Sequence, residues 1–153
     1  MTQGDPLAMA LYGIALLPLI AHLRFEHPKV LQPWYADDSA MQGSGADVAA
    51  CFVELCRVGP QYGYYPEVNE SWAICAQADE PELRRVFAAS ELPVKWSRGQ
   101  RYVSGFVGSK AMEHKWVHDK VDGWVHGVTV LARIATRYPQ AAYAGFVVSL
   151  QSE

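Results

Sequence analysis

An α+β fold is predicted by three features of the chain. An uncharged apolar run at 7–23 and an apolar stripe with helical periodicity within 109–138 stand near the two ends. Between them, short runs rich in Val, Trp, Tyr and Ile are separated by Gly, Pro and Asp turns, as in small strand pairs. No long-period repeat is present, which excludes a solenoid or propeller. At 153 residues and 17.0 kDa the chain has the size of one domain or part of one. With 50% hydrophobic and 19% charged residues it can bury a core, which excludes collagen, mucin-like stalks and disordered linkers.

The elements follow in order. Asp5 is a good N-cap and Pro6 suits the first helical position, so a helix is expected from there to about Leu23, bent near Pro18. Leu7 to Leu23 carries no formal charge over 17 residues, short of the roughly twenty that a span requires, and it contains Pro18 and His22. The expected reading is a helix buried on most sides. Met1 to Pro6 has Asp5 and no Lys or Arg, unlike a signal peptide. Val30 to Tyr35 reads as a strand and Ser39 to Gln42 as its returning partner, with Ala36, Asp37 and Asp38 at the turn. Gly43-Ser44-Gly45 breaks the chain. Ser44 and Asp47 then form a capping box for a helix with Val48, Cys51, Phe52 and Leu55 on its apolar face, ended by Gly59-Pro60.

Residues 61–71 are a loop rich in Tyr, Gly and Pro. Trp72 to Ala76 reads as a strand, and Pro81 to Ala89 as a short helix with Leu83, Val86 and Phe87 on one side. Val94 to Trp96 and Tyr102 to Val107 are expected to pair around Ser97-Arg98-Gly99-Gln100. A long helix from about Ser109 to Tyr138 carries the stripe Val117, Val121, Trp124, Val128, Leu131 and Ala135. Pro139 restarts a helix that is still apolar at Leu150, an ending expected of a truncated element.

Net charge is −3, a disadvantage for a protein that grips nucleic acid with its whole surface. Its distribution is uneven. Residues 95–120 hold six bases against two acids, for +4, while the rest holds seven bases and fourteen acids, for −7. One end of the molecule is therefore suited to face phosphate. Cys51, Cys56 and Cys75 are an odd number without a CxxC pair, which argues against a disulfide framework or zinc ribbon and favours a reducing interior.

The segment richest in chemistry is Trp34-Tyr35-Ala36-Asp37-Asp38. Two adjacent carboxylates at a tight turn repel each other unless a cation neutralises them. Their hard oxygens suit magnesium, which keeps its waters and uses one or two protein carboxylates beside substrate phosphates. A solvated Asp-Asp turn is the competing reading. His114, His118 and Asp122 have i, i+4 spacing but lack the Glu of HExxH, so a polar helix face is the simpler account. Cys51 and Cys56 read as core. Tyr62, Tyr64 and Tyr65 are suited either to base stacking or to a packed loop. No GxGxxG, Walker-type or GxSxG motif is present.

Thr2-Gln3-Gly4-Asp5-Pro6-Leu7 opens a helix some thirty residues before the Tyr35-Ala36-Asp37-Asp38 hairpin. In this order and spacing the pair resembles the reverse transcriptases of retroelements, with their QGDPL-type and YADD-type motifs. Gly63-Tyr64-Tyr65-Pro66 with Asn69-Glu70-Ser71 is similar to the loop after the second palm helix. Gly99 to Gly108 is similar to the primer-grip hairpin, and Pro139 to Tyr143 to the segment following the palm. The resemblance implies a polymerase palm-like antiparallel sheet with helices packed on one face, followed by the helical start of a thumb or connection. On that basis residues 1–108 form a partial palm and 109–153 the truncated helical part.

The same resemblance implies RNA-directed DNA polymerase chemistry, with a primed RNA or DNA template and deoxynucleoside triphosphates as partners and Mg2+ or Mn2+ as cofactor. Asp37 would bind both catalytic metals, with Asp38 in support. Gln3, Gly4, Tyr35 and Ala36 would line the nucleotide and template pocket. Phe106, Val107 and Gly108 would hold the primer, with electrostatic support from Arg98, Arg101 and Lys110. The family's first catalytic aspartate lies on a strand upstream of the QGDPL motif, and its fingers lie upstream as well. The expectation is therefore a fragment inactive alone and dependent on an upstream piece. Glu70 stands where similar sequences carry lysine, as in a decayed copy.

Three other readings compete. One is a non-catalytic nucleic-acid-binding remnant using 95–120, another a membrane-associated protein built on 7–23, and the third an open reading frame without function. The expected setting is intracellular, cytoplasm or nucleus, without a membrane.

Overall fold

The computed structural model describes residues 7–35, 38–103 and 105–150, without the side chains of Met9, Ser149 and Leu150. The fold is mixed α+β, with five α-helices and three two-stranded β-pairs among the described residues. The helix start expected at Asp5 and Pro6 lies outside them.

Helix α1 spans Ala8–Glu26, three residues beyond the expected end. It stops at His27, which precedes Pro28 and takes φ −124° and ψ 62°, because a residue before proline is pushed out of the α region. Pro18 lies inside one uninterrupted helix. It is exposed, so water can reach the carbonyl that its missing N–H leaves without a helical donor. Leu16, Leu19 and Leu23 are buried, at 3% exposure or less. The opposite side is open: Leu11, Ile14, Leu17 and Phe25 are 51% to 81% exposed. The helix is thus buried on one face rather than on most sides, since α2 and its following loop cover only that face. Among the described residues no helix is long and apolar enough to cross a membrane.

Helix α2, Gly45–Val58, begins as its sequence predicts. Ser44 is extended, its hydroxyl oxygen accepts from the Asp47 amide at 3.2 Å, and it donates to the Asp47 carboxylate at 2.6 Å. This helix joins the two cores. Cys51, Leu55 and Val58 face α1 and Val30, while Ala49 with Val48 and Phe52 faces Phe87, Leu92 and Val94. A polar clamp closes the α1–α2 seam: His22 Nε2 lies 2.8 Å from Glu54 Oε1, and Arg57 donates twice to the same carboxylate at 2.8 and 2.6 Å. A 3-10 turn, Gly59–Tyr62, follows the helix directly.

The strands differ most from expectation. In place of one antiparallel sheet there are three separate pairs. β1 (Trp34–Tyr35) and β2 (Asp38–Ser39) are antiparallel, and so are β5 (Gly99–Tyr102) and β6 (Gly105–Gly108). β3 (Trp72–Ile74) and β4 (Lys95–Ser97) are parallel, joined across α3 (Glu80–Ala89). The pairing expected between 94–96 and 102–107 does not form. At Ser97 the side chain donates to the Gly99 carbonyl at 2.6 Å and accepts from the Gly99 amide at 3.2 Å, which kinks the run. The residues before the kink pair with β3, and those after it make the hairpin.

Helix α4, Lys110–Ala135, is capped by Ser109 and followed by α5, Pro139–Gly145, and a π-turn, Phe146–Leu150. None of the residues of α4 is buried. Its apolar stripe is the one predicted, but α5 packs only against the C-terminal half. There Val128, Leu131 and Ala135 meet Ala142, Tyr143 and Phe146 around an open apolar groove of about 300 Å³.

Two predictions concern this core. Leu55→Ala leaves a cavity between both helices and is expected to cost about 2–5 kcal/mol in urea unfolding. The Arg57 and His22 hydrogen bonds hold the Glu54 carboxyl down at about 2, against a usual 4.5. A depressed carboxyl stabilises the fold above its unfolded pKa, and that contribution is lost as pH falls from about 4.5 to about 2. Glu54→Gln should flatten this part of the stability profile; an unchanged acid limb would refute the assignment.

Candidate functional site

The carboxylate hairpin is built from below. Leu31 and Gln42 exchange backbone hydrogen bonds of 2.8 and 2.9 Å, then the Ala40 amide donates to the Pro33 carbonyl at 3.0 Å. Regular pairing resumes at Trp34 with Ser39 and Tyr35 with Asp38. The expected strands 30–35 and 39–42 therefore face each other as predicted, but Pro33 has no N–H to give and divides the ladder. Gln32 fixes its base. The side chain is 2% exposed and donates to the Leu23 carbonyl at 3.3 Å, with Cys51 Sγ at 3.5 Å, while Arg24 donates to the Gln32 carbonyl at 3.3 Å.

One flank of the hairpin rests on Tyr64. Its ring meets Trp34 edge-on at 5.3 Å, and its hydroxyl is 3.0 Å from Ser39 Oγ. Gly59 makes this possible, since a Cβ there would lie 2.6 Å from the Tyr64 carbonyl oxygen. The Tyr64 amide donates to the Gly59 carbonyl at 3.0 Å. Of the three loop tyrosines, Tyr64 is core, whereas Tyr62 and Tyr65 are exposed. Sequence reasoning left that choice open, because alternation in an irregular loop has no fixed period.

Of the expected site residues, Gln3, Gly4, Ala36 and Asp37 lie outside the described residues. Tyr35 and Asp38 are both exposed, side by side on the last described pair of the hairpin. Tyr102 stands at the end of β5. Burial first, and the charge of Asp38 second, push its phenol above the usual value. Its hydroxyl is buried without a hydrogen-bond partner, and so is the Trp34 indole nitrogen. Sequence reading missed Tyr102; the signal was its place beside the turn of the Gly99–Gly108 segment.

The second hairpin is tied to α4. Phe106 stacks on Trp116, with centroids 5.7 Å apart, so its ring serves packing more than an open surface. Val107 is 49% exposed. Gly108 takes φ +154°, with Gly99 directly across, where a Cβ would come within 2.3 Å of the Gly99 Cα.

The basic stretch is partly spent on internal pairs. Arg98 donates to Glu80 at 2.9 Å, and Glu80 is also held by Arg84. Lys95 pairs with Glu70 and lies over the Trp72 ring. Arg98 thus has an acidic partner on α3. Arg101 donates to the Val103 carbonyl at 3.2 Å and is exposed, as is Lys110. Among the described residues Arg101, Lys110, Lys115 and Lys120 have no carboxylate partner. His118 pairs with Asp122 at 3.0 Å, and no described group of three or more His, Cys, Asp or Glu is placed to hold a metal.

The anchor makes a testable claim. Tyr64→Phe keeps the ring contact with Trp34 but removes the Ser39 bond, and is expected to cost about 1 kcal/mol. Amide exchange should accelerate at Ser39 and Ala40 more than in α1; uniform acceleration would refute a local role. No family model, no curated protein and no solved structure matches this chain.

Proposed function

We propose that the chain is a palm segment derived from a retroelement reverse transcriptase, carrying the carboxylate hairpin of an RNA-directed DNA polymerase. What supports the reading is the order and spacing of the QGDPL-type and YADD-type motifs, together with an antiparallel β1–β2 pair that leaves Tyr35 and Asp38 exposed across from each other.

The donor set fits magnesium or manganese in part. Asp37 and Asp38 are hard oxygen donors, and a magnesium site needs only one or two protein carboxylates when water and phosphate fill the rest. When bound, such a cation would lower the pKa of a primer 3′-hydroxyl and stabilise the leaving pyrophosphate. Asp37 and Asp38 would hold it; Tyr35 offers an exposed ring to the primer terminus or incoming nucleotide. Arg101 and Lys110 would contribute charge toward the phosphate backbone.

A second reading, nucleic-acid binding without catalysis, is favoured by Arg101, Lys110, Lys115 and Lys120, whose charges no described carboxylate neutralises. It shares the same ancestry.

Calorimetry with Mn2+ tests the first reading. The unmodified chain should show one weak site, and Asp37→Asn should weaken it by about tenfold or more. Negligible binding in both, together with steeply salt-dependent binding of a primed template, would transfer the case to the second reading.

A further inference from the structure

We propose that the chain pairs with a second copy of itself through α4, the two helices lying antiparallel about a twofold axis that passes between Asp122 and Gly123. This stands apart from the metal and nucleic-acid readings above and needs neither.

The surface is set by what α5 leaves uncovered. None of the described residues of α4 is buried. Its apolar stripe is occupied at the C-terminal end, where α5 and the π-turn meet Val128, Leu131 and Ala135. The second hairpin packs on Trp116 through Phe106, on a different side of the helix. Val117, Val121, Trp124 and Val128 therefore remain 43% to 49% exposed in one row. With Val125 beside them and Phe146 at the rim of the groove, they expose roughly 500 Å², the apolar share of a standard interface of about 800 Å² per partner. Single exposed apolar side chains need no explanation, but a contiguous patch of this size marks a contact surface.

Periodicity alone does not name the occupant; the limits of the open row do. Its spacing is four, three, four, which reads the same from either end. An antiparallel second copy therefore brings Val121 opposite Trp124 and Val117 opposite Val128, twice each, as the layers of a helix pair. Such a contact is isologous and closes as a dimer. A parallel copy would bring the two α5 segments into the same space, because each already lies against the stripe of its own helix. In the antiparallel arrangement they sit at opposite ends. The charges agree with it. Asp119, Asp122 and His126 lie on the far side of α4, and Lys120 at the edge of the row comes opposite the stretch around Val125, so no like charges meet across the axis.

Sedimentation velocity on the full chain at micromolar concentration, with circular dichroism to follow the fold, tests the pairing. The unmodified chain should sediment as a dimer, at twice its 17.0 kDa. Val121→Glu and Trp124→Lys, both at exposed positions, should keep the helical spectrum and weaken association about a hundredfold or more, since each dimer would hold two unpaired charges in its seam. Mixed one to one, they should recover a heterodimer. The new carboxylate of one then faces the new ammonium of the other, while the second contact keeps Val121 against Trp124. A monomeric unmodified chain would overturn the proposal, and so would a dimer that survives Val121→Glu. Variants that stay apart when mixed would overturn the antiparallel pairing. Loss of the helical spectrum in both would assign these positions to the chain's own packing, and dissociation by Ile14→Glu instead would assign the interface to the open face of α1; either result sinks the role of α4.

Discussion

The contact on which the rest depends is that between Leu55 and Cys51 of α2 and Leu19 and Leu23 of α1. All four side chains are essentially removed from solvent. Because α2 is apolar on two faces, the same helix also carries the second core against Phe87, Leu92 and Val94. Burial of a side chain such as Leu55 contributes about 1.5–3 kcal/mol, so this junction outweighs any single polar contact nearby. The Glu54 clamp lies at its edge, where it orients the two helices more than it binds them together.

From that junction the hairpin is suspended. Gln32 reaches into the α1–α2 seam and ties the incoming strand to the end of α1 and to Cys51. Tyr64, delivered by the tight passage past Gly59, supports the outgoing strand through Ser39. Two adjacent carboxylates raise the free energy of a small hairpin by mutual repulsion, and four regular strand residues cannot offset that alone. The aromatic and amide anchors supply what the short ladder lacks. They hold its base firmly and leave Tyr35 and Asp38 in solvent.

Much of this was legible in the sequence because it is local. The Ser44 cap, the apolar face of α2, the Ser109 start of α4 and the approximate hairpin at 30–42 all follow from short-range rules that tertiary packing did not oppose. The strand partners were not legible. Val94-Lys95-Trp96 has the same pattern whether it pairs with its neighbour or with Trp72-Ala73-Ile74, and only the Ser97 kink separates the outcomes. Nor could charge counting distinguish a free arginine from one already held by Glu80. At the hairpin, the support from Tyr64 depends on contacts with Trp34 and Ser39, segments distant in sequence, which no short-range rule reveals.

Helices α1 and α4 sharpen the point. One is apolar on nearly every side and the other carries a regular apolar stripe, patterns that predict burial, yet Leu11, Ile14 and Phe25 on α1 and Val117, Val121 and Trp124 on α4 are substantially exposed. Periodicity records which face of a helix is apolar; it carries no information about what covers that face. The same distinction applies to the basic stretch. Its +4 excess is a property of the sequence, but Lys95 and Arg98 are paired with Glu70 and Glu80. The basic side chains of that stretch without a described carboxylate partner are then Arg101 on the second hairpin and Lys110, Lys115 and Lys120 of α4, so a count of charges along a segment does not give the charge that its surface presents.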